Sequence, residues 1–433
     1  MTQLTMKAYT TLILGACGTG MIGNAWAGDA DLNQDMLIKQ GEYVARTADC
    51  VACHTTHHDK PFAGGLGMAL PMGNVYSTNI TSDKETGIGN YTLEQFTRVL
   101  RQGVAADGHN LYPAMPYPSY TKMSDDEIKA LYAYFMHGVK PVHEPNRKPD
   151  FSWPLTMRWP LKFWNMLFLD EGAYVPKEGQ SEEWNRGAYL VQGPTHCGTC
   201  HTPRGLGMQE RAYDETGNEF LSGADIDSWH AFNITPDKNS GIGGWTTDEL
   251  VQYLRSGNVP GKAQAAGQMA EAIEHSFSHM SDGDLKAIAL YLQSIQPSND
   301  GDERPRFAYG QPDDSYLKLR AQPTSQDAPE ERGARVFSEN CAACHGPSGE
   351  GSPDGYYPSM MHNSVVGTPY TNNLVNVILQ GVHRKTQSGD VLMPAFKDHL
   401  SNEDIAALVN FVTQHFGHPD AEVTPDAIKA LRR

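Results

Sequence analysis

A five-residue pattern occurs three times in this chain: Cys50-Val51-Ala52-Cys53-His54, Cys197-Gly198-Thr199-Cys200-His201 and Cys341-Ala342-Ala343-Cys344-His345. On a helix, residues at i, i+3 and i+4 share one face. Each pattern therefore presents two thiols and an imidazole on one side. That is the attachment signature of c-type haem, in which the thiols add across two vinyl groups and the His ligates the iron. Zinc would need four ligands, usually two Cys pairs or two Cys with a spaced His pair, and no second Cys pair sits near any of the three. A redox dithiol would not occur three times with His always following. The expectation is three covalently bound haem c groups, held by Cys50, Cys53, Cys197, Cys200, Cys341 and Cys344, with His54, His201 and His345 on the irons.

A chain of 433 residues is long enough for about three domains, one for each pattern. The patterns use six of the seven cysteines, and the seventh, Cys17, lies near the N-terminus. That leaves no disulfide framework. A formal charge of -17 excludes nucleic acid as a partner, which calls for basic patches. Residues 1–27 read as a secretory leader, with Lys7, an apolar stretch and an Ala25-Trp26-Ala27 cleavage site. The alternative is a lipidated Cys17 after Leu14-Gly15-Ala16. No later stretch is long and apolar enough to span a bilayer.

The patterns sit in an internal repeat. Each unit opens with Gly and apolar residues (Gly41-Glu42-Tyr43-Val44, Gly187-Ala188-Tyr189-Leu190, Gly333-Ala334-Arg335-Val336-Phe337), read as a helix leading into the motif. A long loop follows, then a second helix that stops at Gly103, Gly257 or Gly381. A capped helix closes each unit, starting at Ser124 with Glu127, Ser281 with Asp284 and Ser401 with Asp404. Met123, Met280 and Leu400 precede those caps as apolar staples. The first two units share Asn-Ile-Thr at 79–81 and 233–235, so they form a tandem pair ahead of a shorter third. The expected fold is mainly α: three tandem cytochrome c-like domains over 28–150, 181–297 and 330–417. An aromatic linker (151–180), a Pro-rich linker (298–329) and a tail (418–433) complete the chain. Residues 151–168 hold three Trp, three Phe and two Met, too apolar for a free tether. They either pack on the neighbouring units or meet a partner or bilayer. The tail reads as a short amphipathic helix and a second candidate for a membrane surface.

The other face of each haem needs a ligand. Met115 and Met393 each precede Pro, which favours an extended backbone suited to a loop swinging over a ring. They lie 9 and 8 residues before the closing-helix caps. In the second unit the repeat assigns Met280 to the staple, which leaves Met269, 12 before Ser281, with His275 and His279 as alternatives. His/Met ligation raises the potential and closes the iron to substrate, which favours electron transfer. An enzyme acting at one haem, such as a peroxidase, would need an open position, and the second unit is where it would lie. No separate catalytic constellation is present.

The three motifs after a leader, Tyr-Pro-Ala-Met-Pro-Tyr at 112–117, the two Asn-Ile-Thr segments and Met-Arg-Trp-Pro at 157–160 together resemble the triheme cytochrome c subunit of membrane-bound bacterial alcohol, sugar and aldonate dehydrogenases. The resemblance covers essentially the whole mature chain. It implies a redox subunit without a substrate site of its own. A large flavoprotein of the GMC type with FAD, or a PQQ quinoprotein, would deliver electrons through three haems to ubiquinone. A small third subunit can accompany the pair, and the complex would sit peripherally on the periplasmic face of the cytoplasmic membrane. It also implies Met115, Met269 and Met393 as axial ligands. Met269-Ala270-Glu271-Ala272 is more similar to the flavoprotein-linked members. A free periplasmic carrier feeding a terminal oxidase is the competing function.

Overall fold

A computed structural model of the chain describes residues 24–70, 72–312 and 329–432. The leader up to residue 23, Cys17 included, and the middle of the Pro-rich linker lie outside the described residues.

The first unit comprises α1 (Asn24–Thr47), α2 (Cys50–His54), the hairpin β1 (Gly67–Leu70)/β2 (Gly73–Tyr76), α3 (Leu93–Gln102), α4 (Tyr117–Tyr120) and α5 (Asp125–Ala133). The aromatic linker carries α6 (Leu161–Phe168). The second unit follows with α7 (Glu182–Gln192), α8 (Cys197–His201), the hairpins β3 (Ala224–Ile226)/β4 (Trp229–Ala231) and β5 (Asn258–Val259)/β6 (Ala263–Gln264) around α9 (Thr247–Ser256), then α10 (Gly267–His275) and α11 (Asp282–Leu292). The third contains α12 (Pro329–Asn340), α13 (Ala342–His345), α14 (Asn372–Gln380), the hairpin β7 (Val382–Thr386)/β8 (Gly389–Met393) and α15 (Asn402–Phe416). The tail forms α16 (Pro425–Leu431).

In each unit the opening and closing helices cross: α1 on α5, α7 on α11, α12 on α15. The repeated glycine makes the crossing close. A Cβ on Gly41, Gly187 or Gly333 would lie 2.0, 2.0 or 2.4 Å from the carbonyl oxygen of Ala130, Ala287 or Ala407. Only a residue without a side chain lets the backbones meet there. Three separate buried clusters result, built around Leu131 and Phe135, Leu190 and Tyr291, and Phe337 and Phe411. Met123 and Met280 are buried in the first two, as their staple position requires, and Leu400 packs on the third.

Two expectations need correction. Among the described residues the long loops hold four antiparallel hairpins that alternation in the sequence did not reveal. In β7 the inward residue is Arg384, 2% exposed, so no apolar stripe marks the strand. Secondly, the caps at Ser124 and Ser281 accept from Glu127 N and Asp284 N, but only Ser401 with Asp404 completes the reciprocal box among these three. The acids of the first two are drawn elsewhere. Asp284 accepts from Tyr43 Oη (2.6 Å) and Arg186 (2.7 and 3.0 Å). Glu127 accepts from Tyr189 Oη and from Arg186 (3.3 Å). Tyr43 and Tyr189 hold equivalent repeat positions, so the contact between the first two units is reciprocal.

Where they are described, the segments leaving the first two units are not free tethers. Asn79 Nδ2 donates to Val142 O (2.7 Å) and its counterpart Asn233 Nδ2 to Ser298 O (2.7 Å), tying each outgoing strand to the unit it leaves. The aromatic linker divides. Phe151 is buried, and Trp164 Nε1 donates to Gly207 O (2.7 Å), while Trp153, Trp159, Phe163, Met166 and Leu167 are exposed. The tail does not offer its apolar face to a membrane: Ile428 is fully buried against the third core, and α16 packs on α14 and α15.

Candidate haem sites

Each motif forms a short helix, α2, α8 or α13, directly after its opening helix, with Cys341 at the N-cap of α13. All six cysteines are unpaired. Burial pushes the Cys50, Cys53 and Cys341 thiols up to about 12 and those of Cys197 and Cys200 to about 11. Such groups stay protonated, unlike the thiolates of zinc sites or reactive dithiols. Among the described residues no group of three or more His, Cys, Asp or Glu could hold a metal ion.

The three histidines are held alike. The Nδ1 of His54 lies 2.6 Å from Thr78 O, that of His201 2.7 Å from Phe232 O, and that of His345 2.9 Å from Pro358 O. A carbonyl accepts only from an N–H, so Nδ1 carries the proton and Nε2 is left with its lone pair. That is the second-shell arrangement that fixes tautomer and ring orientation in a metal-binding imidazole. Burial lowers the pKa of all three rings, against the opposing effect of these bonds, and keeps them neutral.

The same loop grips the motif a second way. Gly64 N donates to His54 O (2.8 Å), Gly223 N to His201 O (2.7 Å) and Gly351 N to His345 O (2.7 Å). All three have positive φ (76°, 99° and 72°), a conformation open to glycine. Neither the glycines nor the accepting carbonyls were singled out from the sequence. The available signal was the Asn-Ile-Thr repeat: Thr78 and Phe232 immediately precede it. Its Asn folds it identically in both units, Asn79 Oδ1 accepting from Thr81 N at 2.9 Å and Asn233 Oδ1 from Thr235 N at 2.9 Å.

The methionines differ in setting. Met115 sits in a turn before α4 and borders the first core together with Cys50. Met269 and Cys197 both border the second. Met269 lies in the first turn of α10 rather than in a loop. With no proline after it, the chain passes from extended Ala266 into the helix. Met393 ends β8, paired across to Val382, and Phe396 three residues on joins the third core beside Cys341. His275 ends α10 and His279 follows in a 3-10 turn.

Three paired thiol sets, each with a neutral, oriented imidazole, on helical units joined in tandem, define a multihaem c-type cytochrome. Two family models agree: "Cytochrome c" over residues 38–138 and "Cytochrome C oxidase, cbb3-type, subunit III" over 328–412. The chain is 46% identical to the cytochrome c subunit of the alcohol dehydrogenase (quinone) of Gluconobacter oxydans, over 95% of this chain and 84% of that one. It is 44% identical to the fructose dehydrogenase cytochrome subunit of Gluconobacter japonicus (99% and 89%) and 41% to the gluconate 2-dehydrogenase cytochrome c subunit of Pantoea cypripedii (99% and 95%). The chain belongs to this family of dehydrogenase cytochrome c subunits, and its role is electron transfer through three haem c groups.

Proposed function

We propose that the chain takes electrons from a large flavin- or PQQ-dependent dehydrogenase subunit and passes them through its three haems to ubiquinone. The likeness to quinone-, fructose- and gluconate-linked subunits over nearly full length carries this reading. The placement of the motifs supports a relay within the chain. α10, which carries Met269, packs on the first motif helix α2, and Ser276 just after it donates through Oγ to Thr47 O ahead of that motif (3.2 Å), so the first two attachment sites adjoin. When bound, each haem iron accepts and returns one electron at a time. The protein's part is to hold Nε2 of His54, His201 and His345 toward the irons and to keep the rings neutral.

On the opposite faces Met115, Met269 and Met393 are the ligands in this reading, with the three domains bounded as the repeat divides them. Met269→Ala tests the least regular of the three: one haem of the holoprotein changes its reduced spectrum and its potential falls. An unchanged spectrum, with the same change produced by His275→Ala or His279→Ala, sinks the assignment.

Among the described residues no helix is long and apolar enough to cross a membrane. Export to the periplasmic face and peripheral attachment through the exposed side of α6 fit that observation. The deciding experiment for the function is isolation of the chain from its native membranes in mild detergent. A flavoprotein or quinoprotein in constant ratio is the expected result. Recovery of the chain alone from the periplasmic fraction would establish a free carrier instead.

A further inference from the structure

In the first two units one arginine ties the helix before the methionine segment to the start of the closing helix. Arg101, two residues before the cap Gly103, donates to Thr121 O (2.6 Å), Met123 O (3.0 Å) and Asp125 Oδ1 (2.6 Å). Arg255, two before Gly257, donates to Ser278 O (3.0 Å), Met280 O (2.7 Å) and Asp282. The pattern is the same in both: the carbonyl of the staple residue, another two residues upstream, and the side chain just inside the helix. These bonds anchor the C-terminal end of the segment that carries Met115 or Met269.

The third unit has no arginine at that position. Two residues before Gly381 stands Leu379, 1% exposed in the core. Two of the three equivalent acceptors, the staple carbonyl and the first helical side chain, are nevertheless engaged, and a third bond goes to a carbonyl three rather than two residues upstream. Arg432, at the end of the tail, donates through Nη2 to Leu400 O (2.8 Å), through Nε to Asn402 Oδ1 (2.7 Å) and through Nη1 to Lys397 O. Leu400 is the staple equivalent to Met123 and Met280, and Asn402 holds the place of Asp125 and Asp282. The tail that delivers this group is firmly seated. Val423 N donates to Asn410 Oδ1 (2.8 Å), Asn410 Nδ2 to Val423 O (3.1 Å), and Thr424 caps α16 by accepting from Ala427 N (3.3 Å). Ile428 is fully buried against the third core.

We propose that Arg432 is a positioning residue for the third haem: the C-terminal helix supplies from outside the domain the guanidinium clamp that α3 and α9 supply from within, and so holds the Met393 segment over the iron. Arginine suits the task because its fixed fork serves several acceptors at once. The inference rests on the assignment of Met393 as the ligand. It gives the tail a role in the redox centre rather than at a membrane.

The test is Arg432→Ala in the full-length, three-haem protein, with haem content measured to show that all three groups are attached. Three readouts follow the methionine–iron bond. The near-infrared methionine-to-iron charge-transfer band of the oxidised protein should lose the share of one haem in three. The reduced protein should gain carbon monoxide binding at one haem per chain. One of the three potentials should fall, as loss of a Met ligand requires. Arg432→Lys should restore part of the band, and Arg255→Ala should reproduce the pattern at the second haem. A full band, no carbon monoxide binding and unchanged potentials in Arg432→Ala would overturn the proposal, even if thermal stability dropped. Met393→Ala, run alongside, should remove the same share of the band. If it does not, the ligand assignment falls, while the response of the band to Arg432→Ala still decides the clamp.

Discussion

The Cβ that Gly187 lacks would sit 2.0 Å from Ala287 O, and that single distance sets the sign of a substitution. Alanine would raise helix propensity by up to ~1 kcal/mol. Overpacking costs about 1–3 kcal/mol, and the upper end applies because the obstacle is backbone and cannot rotate away. Gly187→Ala should therefore destabilise the holoprotein by roughly 2 kcal/mol. Gly283, on the exposed first turn of α11, meets nothing nearer than Ser281 Oγ at 3.8 Å, so Gly283→Ala should be neutral or stabilise by up to ~1 kcal/mol. Thermal unfolding followed at the haem band separates the two. Equal melting temperatures would show that the crossing of α7 and α11 is looser than described. The same reasoning applies to Gly64, Gly223 and Gly351, where a side chain would strain the loop that orients the axial histidine.

At the scale of elements, α10 draws the three sites together. It carries Met269, packs against the first motif helix α2, and receives β7 of the third unit, where Arg384 donates to Ala265 O (2.5 Å) and Lys385 N to Glu274 (3.0 Å). Beside it the opening helix of each of the first two units meets the closing helix of the other. Burial alone would raise the Asp284 pKa, but hydrogen bonds from Arg186 and Tyr43 outweigh it and hold the carboxyl below its usual range. Glu127 goes the other way: burial raises it despite Arg186. Asp284 therefore contributes stability that is present above the ordinary carboxylate pKa of about 4 and lost as pH falls through its lower folded value. For Glu127 the cost of ionising a buried group appears as pH rises past that ordinary value. Contact between the units should be strongest in mild acid. Asp284→Asn should abolish the acid-side loss and Glu127→Gln should flatten the neutral side, in melting curves taken against pH. Parallel profiles for wild type and both variants would remove these groups from the account. None of this pairing was legible in the chain. Ser124, Ser281 and Ser401 with their acids read as local caps, and local they are for the backbone. The partners of Glu127 and Asp284 lie some 60 to 240 residues away, where no periodicity reaches. The motif helices, the crossing helices and the staples were legible because each is written within a few residues. The carbonyls facing His54, His201 and His345 were not, because loops of 13 to 31 residues separate them.

For the whole molecule the open surface beside α6 is the largest departure from a self-contained electron carrier. Trp153 is 79% and Met166 73% exposed, with Trp159, Phe163 and Leu167 alongside and fully exposed Leu206 on the loop that α6 touches. Apolar groups gathered on one helix are costly to leave in water and mark a contact. In the peripheral attachment proposed above, a formal charge of -17 works against attraction to anionic headgroups and makes apolar insertion the holding force. Two consequences follow. Association with vesicles should persist at high salt and weaken as anionic lipid increases. Replacing Trp159, Phe163 and Met166 together with Ser should weaken it strongly. Partial insertion contributes about 1 kcal/mol per side chain, less than the 1.5–3 kcal/mol of full burial, so the triple variant should lose on the order of 100-fold in partitioning. The fold should be untouched, because none of the three belongs to the buried cores. Flotation of the purified holoprotein on neutral and anionic vesicles measures both effects. If the triple variant floats like wild type but no longer co-purifies with a dehydrogenase subunit, the ridge is a protein contact and the membrane is reached through the partner.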